Sequence, residues 1–371
     1  MRLFMIALAG TLAAAVTLLA QSSGDLRIYV IDVEGGGASL FVAPSGETLL
    51  VDTGNGDSAA PRDAGRILEA VKDAGASQID HLVITHYHGD HVGGVAELAS
   101  RIPIKHFIDH GPTVEPQNAA TKFLQHYGEL AAAARHTVAK PGDTIQVSGL
   151  DIRVVASAGK TIAAPMPGAG QPNDGCANVK PIEPDPTENA QSVGMSIVFG
   201  RFRVAHLGDL TWDGELDLMC PTNKFGTADL FLVSHHAQQW RNAMSNSAAL
   251  VHGLRPRVAI STNGIRKGAQ VAAMKVLFTS PGLEDLCQLH ASEFSGQEYT
   301  VPGAFIANEL DEPLRALPIA PLPDPAPGQQ LPPAPTHNGP AHFIRIVASR
   351  DGAFTVTNTR TGFSKKYRQP R

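Results

Sequence analysis

The chain has 371 residues, of which 43% are hydrophobic and 18% charged, and it carries a formal net charge of −5. This length accommodates one large domain or two modest ones, and the apolar content is sufficient for a buried core, so a globular protein is expected. The acidic balance excludes a globally basic surface and gives no support for tight non-specific binding of nucleic acid, although a local basic cleft stays open as an alternative.

Residues 1–23 have the features of an export signal. Arg2 supplies a positive charge, residues 3–20 form an almost uninterrupted apolar run, and small residues follow. The alternative is an uncleaved membrane anchor, because the run is close to the length that spans a bilayer. Both interpretations place the globular part outside the cytoplasm, in the periplasm or secreted. After removal of the signal, no stable membrane insertion is expected.

The segment from residue 24 to residue 312 is predicted as the main domain, because short apolar runs alternate with amphipathic helical stretches in the manner of an α/β protein. The predicted strands cover residues 26–33, 38–43, 48–51, 81–85, 104–109, 144–147, 151–156, 195–199, 201–207, 229–234, 258–261 and 304–307. The predicted helices cover residues 61–74, 92–100, 118–134, 213–219 and 269–279. A triple glycine at 35–37 predicts a turn, and the Pro- and Gly-rich residues 163–186 predict an irregular surface loop.

The C-terminal part differs in composition. Residues 313–340 are crowded with proline, which predicts an extended linker or strap. Beyond it, strand-like runs over 342–348 and 353–358 flank Asp351-Gly352 and predict a β-hairpin within residues 341–371. This hairpin either forms a small separate unit or adds strands to the main sheet.

Three cysteines, Cys176, Cys220 and Cys287, are widely separated and include no Cys-x-x-Cys pair, so a zinc knuckle is excluded. Export would permit one disulfide, for which Cys176 with Cys220 is the preferred pair. The alternative is that all three are free or buried thiols.

The densest set of metal-compatible side chains lies in residues 85–91, Thr-His-Tyr-His-Gly-Asp-His. This stretch follows an apolar strand, and α/β proteins commonly place their sites at the carboxyl ends of strands. Imidazole suits zinc, copper, iron or nickel, and a carboxylate can bridge two ions. The stretch therefore predicts a site for one or two divalent cations. A solvated polar turn is disfavoured because further candidate ligands follow strands at Gly208-Asp209 and Ser234-His235-His236.

Together with Asp52-Thr53-Gly54, these motifs resemble the metallo-β-lactamase superfamily, over about residues 26–262. Residues 31–38, residues 189–196 and the His-His pair further resemble the extracytoplasmic metallo-β-lactamase-like domain of bacterial DNA-uptake channel proteins. The resemblance implies an α/β (α+β) fold, a four-layer αββα sandwich with the site at one edge of two packed sheets.

The resemblance also implies a role for each candidate residue. The metal ligands implied by position are His86 and His88 for a first ion, Asp90, His91 and His235 for a second, and Asp209 as a bridge. Asp90 and His236 are the catalytic candidates: His236 contacts substrate or acts as a general acid, with a structural role as the alternative. Asp52 is expected to support the site from behind by orienting the histidine loop.

The sequence departs from the superfamily pattern at one ligand. Many members have a further histidine between the first motif and the bridging aspartate, whereas residues 137–205 contain none. For His206 we favour packing beside the site over ligation. Asn189 or another oxygen donor is the other candidate for the missing ligand. Zinc is the expected cofactor, but fewer nitrogen ligands make manganese or a mononuclear site an alternative.

These features predict an exported metal-dependent hydrolase. A hydroxide held by the cations is the nucleophile that such a site provides, and two metals suit a phosphodiester because they neutralise both the attacking and the leaving oxygen. The alternatives are hydrolysis of a β-lactam or lactone, and a non-catalytic metal-binding module. The expected partner is a small molecule or a phosphodiester. Nucleic acid is an alternative that the net charge does not support.

Overall fold

A computed structural model describes residues 24–115, 122–177, 179, 182–240, 243–309, 320–323, 329, 334, 335, 337 and 341–369. The predicted export signal lies outside the described residues, as do most of the proline-rich segment and the first residues of the helix predicted over 118–134. In the described part of the chain, no helix is both long enough and apolar enough to cross a bilayer.

The secondary structure alternates as predicted. The strands are β1 (Leu26–Ile31), β2 (Ser39–Val42), β3 (Thr48–Val51), β4 (His81–Val83), β5 (His106–Asp109), β6 (Arg135–Val138), β7 (Thr144–Val147), β8 (Leu150–Ser157), β9 (Lys160–Thr161), β10 (Gly194–Phe199), β11 (Phe202–His206), β12 (Leu230–Leu232), β13 (Gln239–Trp240), β14 (Ala243–Met244), β15 (Val258–Ser261), β16 (Asp285–His290), β17 (Ile306–Asn308), β18 (Phe343–Ala348), β19 (Phe354–Asn358) and β20 (Ser364–Tyr367). The helices are α1 (Ala60–Asp73), α2 (Val95–Ala99), α3 (Leu124–Ala132), α4 (Trp212–Met219), α5 (Ala248–Leu254) and α6 (Val271–Phe278).

Two large sheets form the centre of the molecule. The first has the order β20-β19-β18-β1-β2-β3-β4-β5-β6, and the second has the order β17-β16-β15-β12-β11-β10-β8-β7. In the first sheet β1 to β3 pair antiparallel and β3 to β6 pair parallel, so the loops that follow β3, β4 and β5 emerge at one edge. In the second, β11, β12 and β15 are parallel neighbours. The carboxyl ends of both parallel sets carry the predicted ligands.

Strand β1 shows why the two sheets pack. Successive side chains of a strand point to opposite faces. Ile28 and Val30 accordingly lie in the apolar layer between the sheets, while Tyr29 and Ile31 lie in a second apolar layer beneath helices α1 to α3. Because both faces are buried, the strand is an apolar run without polar alternation.

The second sheet is covered in the same way. Leu230 and Leu232 of β12 face the first sheet, and Phe231 lies in a third apolar layer with residues of α4, α5 and α6. The layers are therefore helices, sheet, sheet and helices, which confirms the expected αββα sandwich.

The C-terminal strands belong to this sandwich. Strand β18 pairs antiparallel with β1 along its whole length, from Leu26 opposite Ala348 to Ile31 opposite Phe343. The segment predicted as a C-terminal hairpin thus adds β18, β19 and β20 to the first sheet, the second of the two arrangements that the sequence left open.

Helix α2 is shorter than the helix predicted over 92–100. A Cβ on Gly93 would lie 2.0 Å from the Gly89 carbonyl oxygen, and one on Gly94 would lie 2.1 Å from the Thr53 carbonyl oxygen. These two residues form a close turn against neighbouring backbone, so the helix begins only at Val95.

The cysteine pairing follows the preferred prediction. Cys176 and Cys220 form a disulfide, and Cys287 is buried and free. The bridge joins the loop after β9 to the end of α4, on the helical face of the second sheet.

Candidate metal centre

The histidine loop is held by Asp52, the residue after β3. Its Oδ1 accepts a hydrogen bond from the Thr85 backbone N–H at 2.7 Å, and its Oδ2 accepts from Thr85 Oγ1 and His91 Nδ1, each at 2.8 Å. Asp52 is 1% exposed and adopts a left-handed backbone with φ of 63°. This is the geometry expected of a residue that orients the loop, since a carboxylate on one ring nitrogen directs the other nitrogen to a metal.

The second half of the site comes from the ends of β11 and β12. Asp209 follows β11, and its N–H donates to Ser192 Oγ at 3.1 Å. His235 and His236 follow β12 with φ of 49° and 54°. A left-handed backbone costs a non-glycine residue about 1–3 kcal/mol and occurs mainly at functional sites. Hydrogen bonds from His235 N to the Gly208 carbonyl (3.1 Å) and from Ala269 N to the His236 carbonyl (2.9 Å) fix this conformation.

The two halves meet at one carboxylate oxygen. Four imidazole Nε2 atoms surround Asp209 Oδ2: His91 at 3.2 Å, His236 at 3.4 Å, His235 at 3.7 Å and His86 at 3.8 Å. All four rings and the carboxylate are buried. Asp209, for which the resemblance implied a bridging role, is thus the carboxylate on which these four rings converge.

Four residues form a compact donor group: Asp90, His91, Asp209 and His236 each offer one ligand atom, and these atoms lie within 4.8 Å of one another. Asp90 Oδ2 is 3.4 Å from His91 Nε2 and 3.3 Å from His236 Nε2. The implied ligand of the second ion was His235, whereas this group contains His236. The left-handed turn directs the His236 ring toward Asp90.

The two adjacent histidines differ in their second nitrogen. His236 Nδ1 lies 2.9 Å from Thr262 Oγ1, and His235 Nδ1 lies 3.2 Å from Ser245 Oγ. Both nitrogens of His236 are therefore engaged, one by the donor group and one by Thr262. The expected role of His236 in substrate contact or as a general acid stays a prediction, and its contacts are also compatible with ligation of a metal.

The first-ion side of the site is built by His86 and His88. His86 Nε2 and His88 Nδ1 face each other at 3.1 Å, and His88 Nε2 lies 3.2 Å from Glu115 Oε1. The two inward nitrogens are available to one ion, and Glu115 orients His88 from outside, the usual partner of a ligating imidazole.

His206 and Asn189, the two candidates for a third ligand beside His86 and His88, differ in their surroundings. His206 is buried, its ring packs 6.4 Å from that of Phe41, and burial lowers its pKa to about 4. It lies outside the compact donor group, as expected for packing. Asn189 is 5% exposed, and its Oδ1 forms no hydrogen bond within the described part of the chain. A buried amide oxygen without a hydrogen-bond partner is a suitable metal donor.

Several site residues were not found from the sequence. Lys267 forms an ion pair with Asp90 across 177 positions. Glu188 is fully buried and accepts from the backbone N–H of Tyr87 at 3.2 Å, next to the ligand loop. Nothing in the local sequence marks Lys267, Glu188 or Glu115, because only the packing of distant loops brings them to the site.

Comparison with known proteins identifies the architecture. Residues 32–171 match the family model described as the metallo-beta-lactamase superfamily. The chain is similar to this superfamily over that segment, and its sandwich of two large sheets is consistent with the metallo-β-lactamase fold. The matched segment includes the whole of residues 85–91, whereas Asp209, His235 and His236 lie beyond it.

Curated relatives match this metallo-β-lactamase region over a limited length. The hydroxyacylglutathione hydrolase of Xanthomonas campestris pv. campestris strain B100 is 33% identical over 121 residues, 33% of this chain and 37% of that protein. Thioesterase pkgB of Emericella nidulans is 33% identical over 110 residues, 29% of this chain and 30% of that protein. The aligned segment thus spans about a third of each relative.

Among solved structures, the metallo-beta-lactamase fold protein YhfI of Bacillus subtilis aligns with 71% of this chain and 96% of its own. The TM-score is 0.45 and the sequence identity is 13%.

The charged groups at the candidate metal centre strongly affect one another's pKa in the metal-free protein. Burial disfavours charge on every group, but Lys267 and His91 hold the pKa of Asp90 well below its usual range, and His91 and His236 do the same for Asp209. Against the same burial, Asp209, Asp90 and Asp52 raise the pKa of His91 well above its usual value. In the metal-free protein the surrounding carboxylates therefore favour the protonated form of the buried His91 ring.

We predict that Asp52→Asn weakens metal binding by about 10- to 100-fold, the usual effect of removing a partner behind a ligand. Asparagine tolerates the left-handed backbone, so the change removes a charge and an acceptor without new strain. Competition for zinc with a chromophoric chelator measures the affinity. Glu129→Gln, on an exposed position of α3, is the matched control. If Asp52→Asn and this control bind zinc with equal affinity, Asp52 does not orient the metal-binding loop.

We also predict that zinc binding releases protons at neutral pH and strengthens as pH rises. The neighbouring carboxylates outweigh burial and raise the pKa of His91 in the metal-free fold, which favours a proton that an incoming cation must displace. The competition between the proton and the zinc ion for His91 is strongest below that raised pKa and disappears above it. Titration calorimetry at pH 7 in buffers of different ionisation enthalpy measures the released protons. A buffer-independent enthalpy together with a pH-independent affinity would be inconsistent with a protonated His91.

Proposed function

We propose that this chain is a metal-dependent hydrolase that acts on a phosphodiester. The observation that carries the proposal is the convergence of four imidazole nitrogens on Asp209 Oδ2 within 3.2–3.8 Å, at the edge where the two sheets meet. Such a carboxylate can be shared by two cations. The hydrolase names of the curated relatives support the class of reaction.

The donor set fits divalent cations of the zinc or manganese class. His91, His236, Asp90 and Asp209 provide nitrogen and oxygen donors on one side, and His86 and His88 provide two nitrogens on the other. Asn189 Oδ1, which has no hydrogen-bond partner among the described residues, is a candidate oxygen donor for the ion that His86 and His88 would hold. A site with more oxygen donors accepts manganese more readily than an all-nitrogen site. When bound, the cations supply an activated water at neutral pH.

The protein side chains have complementary tasks in this proposal. Asp52, Thr262, Ser245 and Glu115 each contact the outward nitrogen of one histidine and so fix the direction of its other nitrogen. Fixed donors reduce the reorganisation required during reaction. His236 belongs to the ligand set here, and Asp90 contributes to hydrolysis as a ligand.

The position of Lys267 favours a substrate that carries a negative charge. Its side chain is 35% exposed, and its ammonium group pairs with Asp90 in the metal-free protein. Once Asp90 is neutralised by a cation, the ammonium group is available at the rim of the site to an anionic group of the substrate. A phosphodiester has such a charge, and the resemblance of residues 31–38 and 189–196 to DNA-uptake domains points to the same chemistry.

Acyl hydrolysis is the second candidate. It is favoured by one specific observation, that curated relatives of the region around residues 85–91 are named hydroxyacylglutathione hydrolase and thioesterase. Those names belong to proteins of which the aligned segment covers about a third.

The decisive experiment compares substrates on metal-free protein reconstituted with zinc or manganese. We expect metal-dependent turnover of bis-nitrophenyl phosphate, and we expect Asp209→Asn to lower kcat/KM at least about 100-fold, because several kcal/mol of metal-derived stabilisation is lost. His126→Gln, an exposed histidine of α3, is the matched control and should retain full activity.

A hydroxyacylglutathione thioester, single-stranded DNA and a chromogenic cephalosporin are assayed in parallel. Turnover of the thioester alone would replace the phosphodiester with an acyl substrate, and turnover of the cephalosporin alone would replace it with a β-lactam. Absence of metal-dependent turnover on all four substrates would contradict the hydrolase proposal and favour a non-catalytic metal-binding module.

We further propose that the protein is exported, to the periplasm or the medium. The apolar run of residues 3–20 supports this placement. The disulfide between Cys176 and Cys220 also supports it, because disulfides persist in oxidising compartments. Fractionation of cells that express the full chain with a C-terminal tag tests the placement, with a chain that lacks residues 2–20 as control. Recovery of both forms in the cytoplasm would rule out export.

A further inference from the structure

A second group of potential ligands lies outside the site described above. Asp32, Glu34, His290 and His337 each offer one nitrogen or oxygen, and these four atoms lie within 4.8 Å of one another. None of the four residues belongs to the first site. They come from three distant parts of the chain: the end of β1, the end of β16 and the segment before β18.

The spacing of these atoms suits a four-coordinate cation. His337 Nδ1 is 3.1 Å from Glu34 Oε1 and 3.9 Å from Asp32 Oδ2, and His290 Nε2 is 3.5 Å from Glu34 Oε2. Ligands at zinc bond lengths of about 2.0–2.2 Å, arranged as a tetrahedron, are about 3.3–3.6 Å apart. The measured separations bracket that range.

The donor atoms are buried and incompletely satisfied. Asp32 and His290 are 0% exposed, and neither Asp32 Oδ2 nor His290 Nε2 forms a hydrogen bond with any residue that the structure describes. Buried polar atoms are nearly always hydrogen-bonded or bound to an ion, so two such atoms directed into one cluster require a physical reason. A cation satisfies both.

The ring of His337 leads to the same conclusion. Its Nδ1 lies 3.2 Å from Arg66 Nη2 and 3.1 Å from Glu34 Oε1. A guanidinium only donates, and a carboxylate only accepts, so no single protonation state of Nδ1 satisfies both neighbours. A cation between Nδ1 and Glu34 Oε1 would relieve the repulsion between their lone pairs, and Arg66 Nη2 would then donate to another acceptor.

The simpler explanation is a buried ion-pair network around Arg66. Its Nη1 donates to the Asp32 carbonyl at 3.1 Å and to Glu34 Oε1 at 2.9 Å. This guanidinium balances one of the two carboxylates and leaves Asp32 Oδ2 at 3.5 Å without a hydrogen bond. Within the described part of the chain no hydrogen bond joins Arg66 to His290, whose pKa is lowered by burial and also by the positive charge of Arg66. Arg66 therefore accounts for part of the cluster. It leaves for a ligand the His290 imidazole and the Asp32 carboxyl group, whose pKa is raised to about 7 by burial and by the neighbouring Glu34.

We propose that Asp32, Glu34, His290 and His337 form a second divalent-cation site, with a preference for zinc. Two imidazoles and two carboxylates are a donor set that zinc accepts in tetrahedral geometry. The site would be structural, because it joins the end of β1, the end of β16 and His337, three positions that are distant in the sequence. This inference does not depend on hydrolase activity.

The test counts zinc in the full-length protein. The Asp209→Asn variant serves as the background, because it reduces zinc binding at the first site. His337→Gln is added to this background and removes one proposed ligand. His337 lies outside all helices and strands. After equilibration with zinc and removal of excess ion, elemental analysis gives zinc per chain. We expect the double variant to hold one equivalent less than the Asp209→Asn background.

Asp209→Asn combined with His126→Gln is the matched control and should hold the same zinc as the background. His290→Gln, as a second donor variant, should reproduce the loss, and circular dichroism establishes whether each variant is folded. Cobalt substitution provides an independent readout, since the intense visible bands of tetrahedral cobalt should fall in His337→Gln. Equal zinc content and unchanged cobalt spectra in folded His337→Gln and background would overturn the proposal.

Discussion

The Asp209 carboxylate is the interaction on which the rest of the site depends. Its Oδ2 is the point where rings from two sheets converge, with His91 from the first and His236 from the second within 3.4 Å. In the absence of metal, the Lys267 ammonium group pairs with Asp90, and the carboxylates raise the pKa of His91, which favours its positively charged form. A cation can replace these two positive charges, because the ligand atoms of Asp90, His91, Asp209 and His236 lie within 4.8 Å of one another.

That convergence requires the sheets to be in register at one edge. The backbone N–H of Val193 donates to the Thr85 carbonyl at 2.9 Å, which joins the loop before β10 to the loop after β4. A Cβ on Gly208 would lie 2.9 Å from Thr85 Cβ, so only glycine permits the two loops to approach this closely. The apolar layer between the sheets brings the loops together, and these contacts set the final separation of the ligands.

The parts of this arrangement that are local in sequence could be predicted. Residues 85–91 carry their ligands within one loop, and strands such as β12 show their burial directly as apolar runs. The prediction was less successful where a polar strand is buried: β16 was missed because Gln288 and His290 interrupt its apolar pattern. Gln288 accepts a hydrogen bond from Val301 N at 3.0 Å, a contact that only the folded chain creates.

The assignment between His235 and His236 illustrates the same limit. Adjacent residues on a strand point to opposite faces, but His235, His236 and Ala237 all have positive φ, between 49° and 61°. Successive left-handed residues form a tight turn rather than a strand, so alternation does not determine which ring faces the donor group. The turn depends on Gly268, where a Cβ would lie 2.0 Å from the His236 carbonyl oxygen. This dependence on a distant glycine has no signature in the sequence around the two histidines.

The triple glycine at 35–37 has a larger role than the turn that the sequence predicted. Gly37 N donates to the Asp90 carbonyl at 3.0 Å, and a Cβ on Gly36 would lie 2.3 Å from that same oxygen. A Cβ on Gly35 would lie 3.0 Å from that of Lys267, the partner of Asp90. The backbone after Glu34 thus supports the ligand loop and the lysine opposite it. Because Glu34 also belongs to the cluster with Asp32, His290 and His337, a displacement of its backbone would be transmitted through three glycines to Asp90. The two groups of ligands are chemically separate, but they share one short segment of main chain.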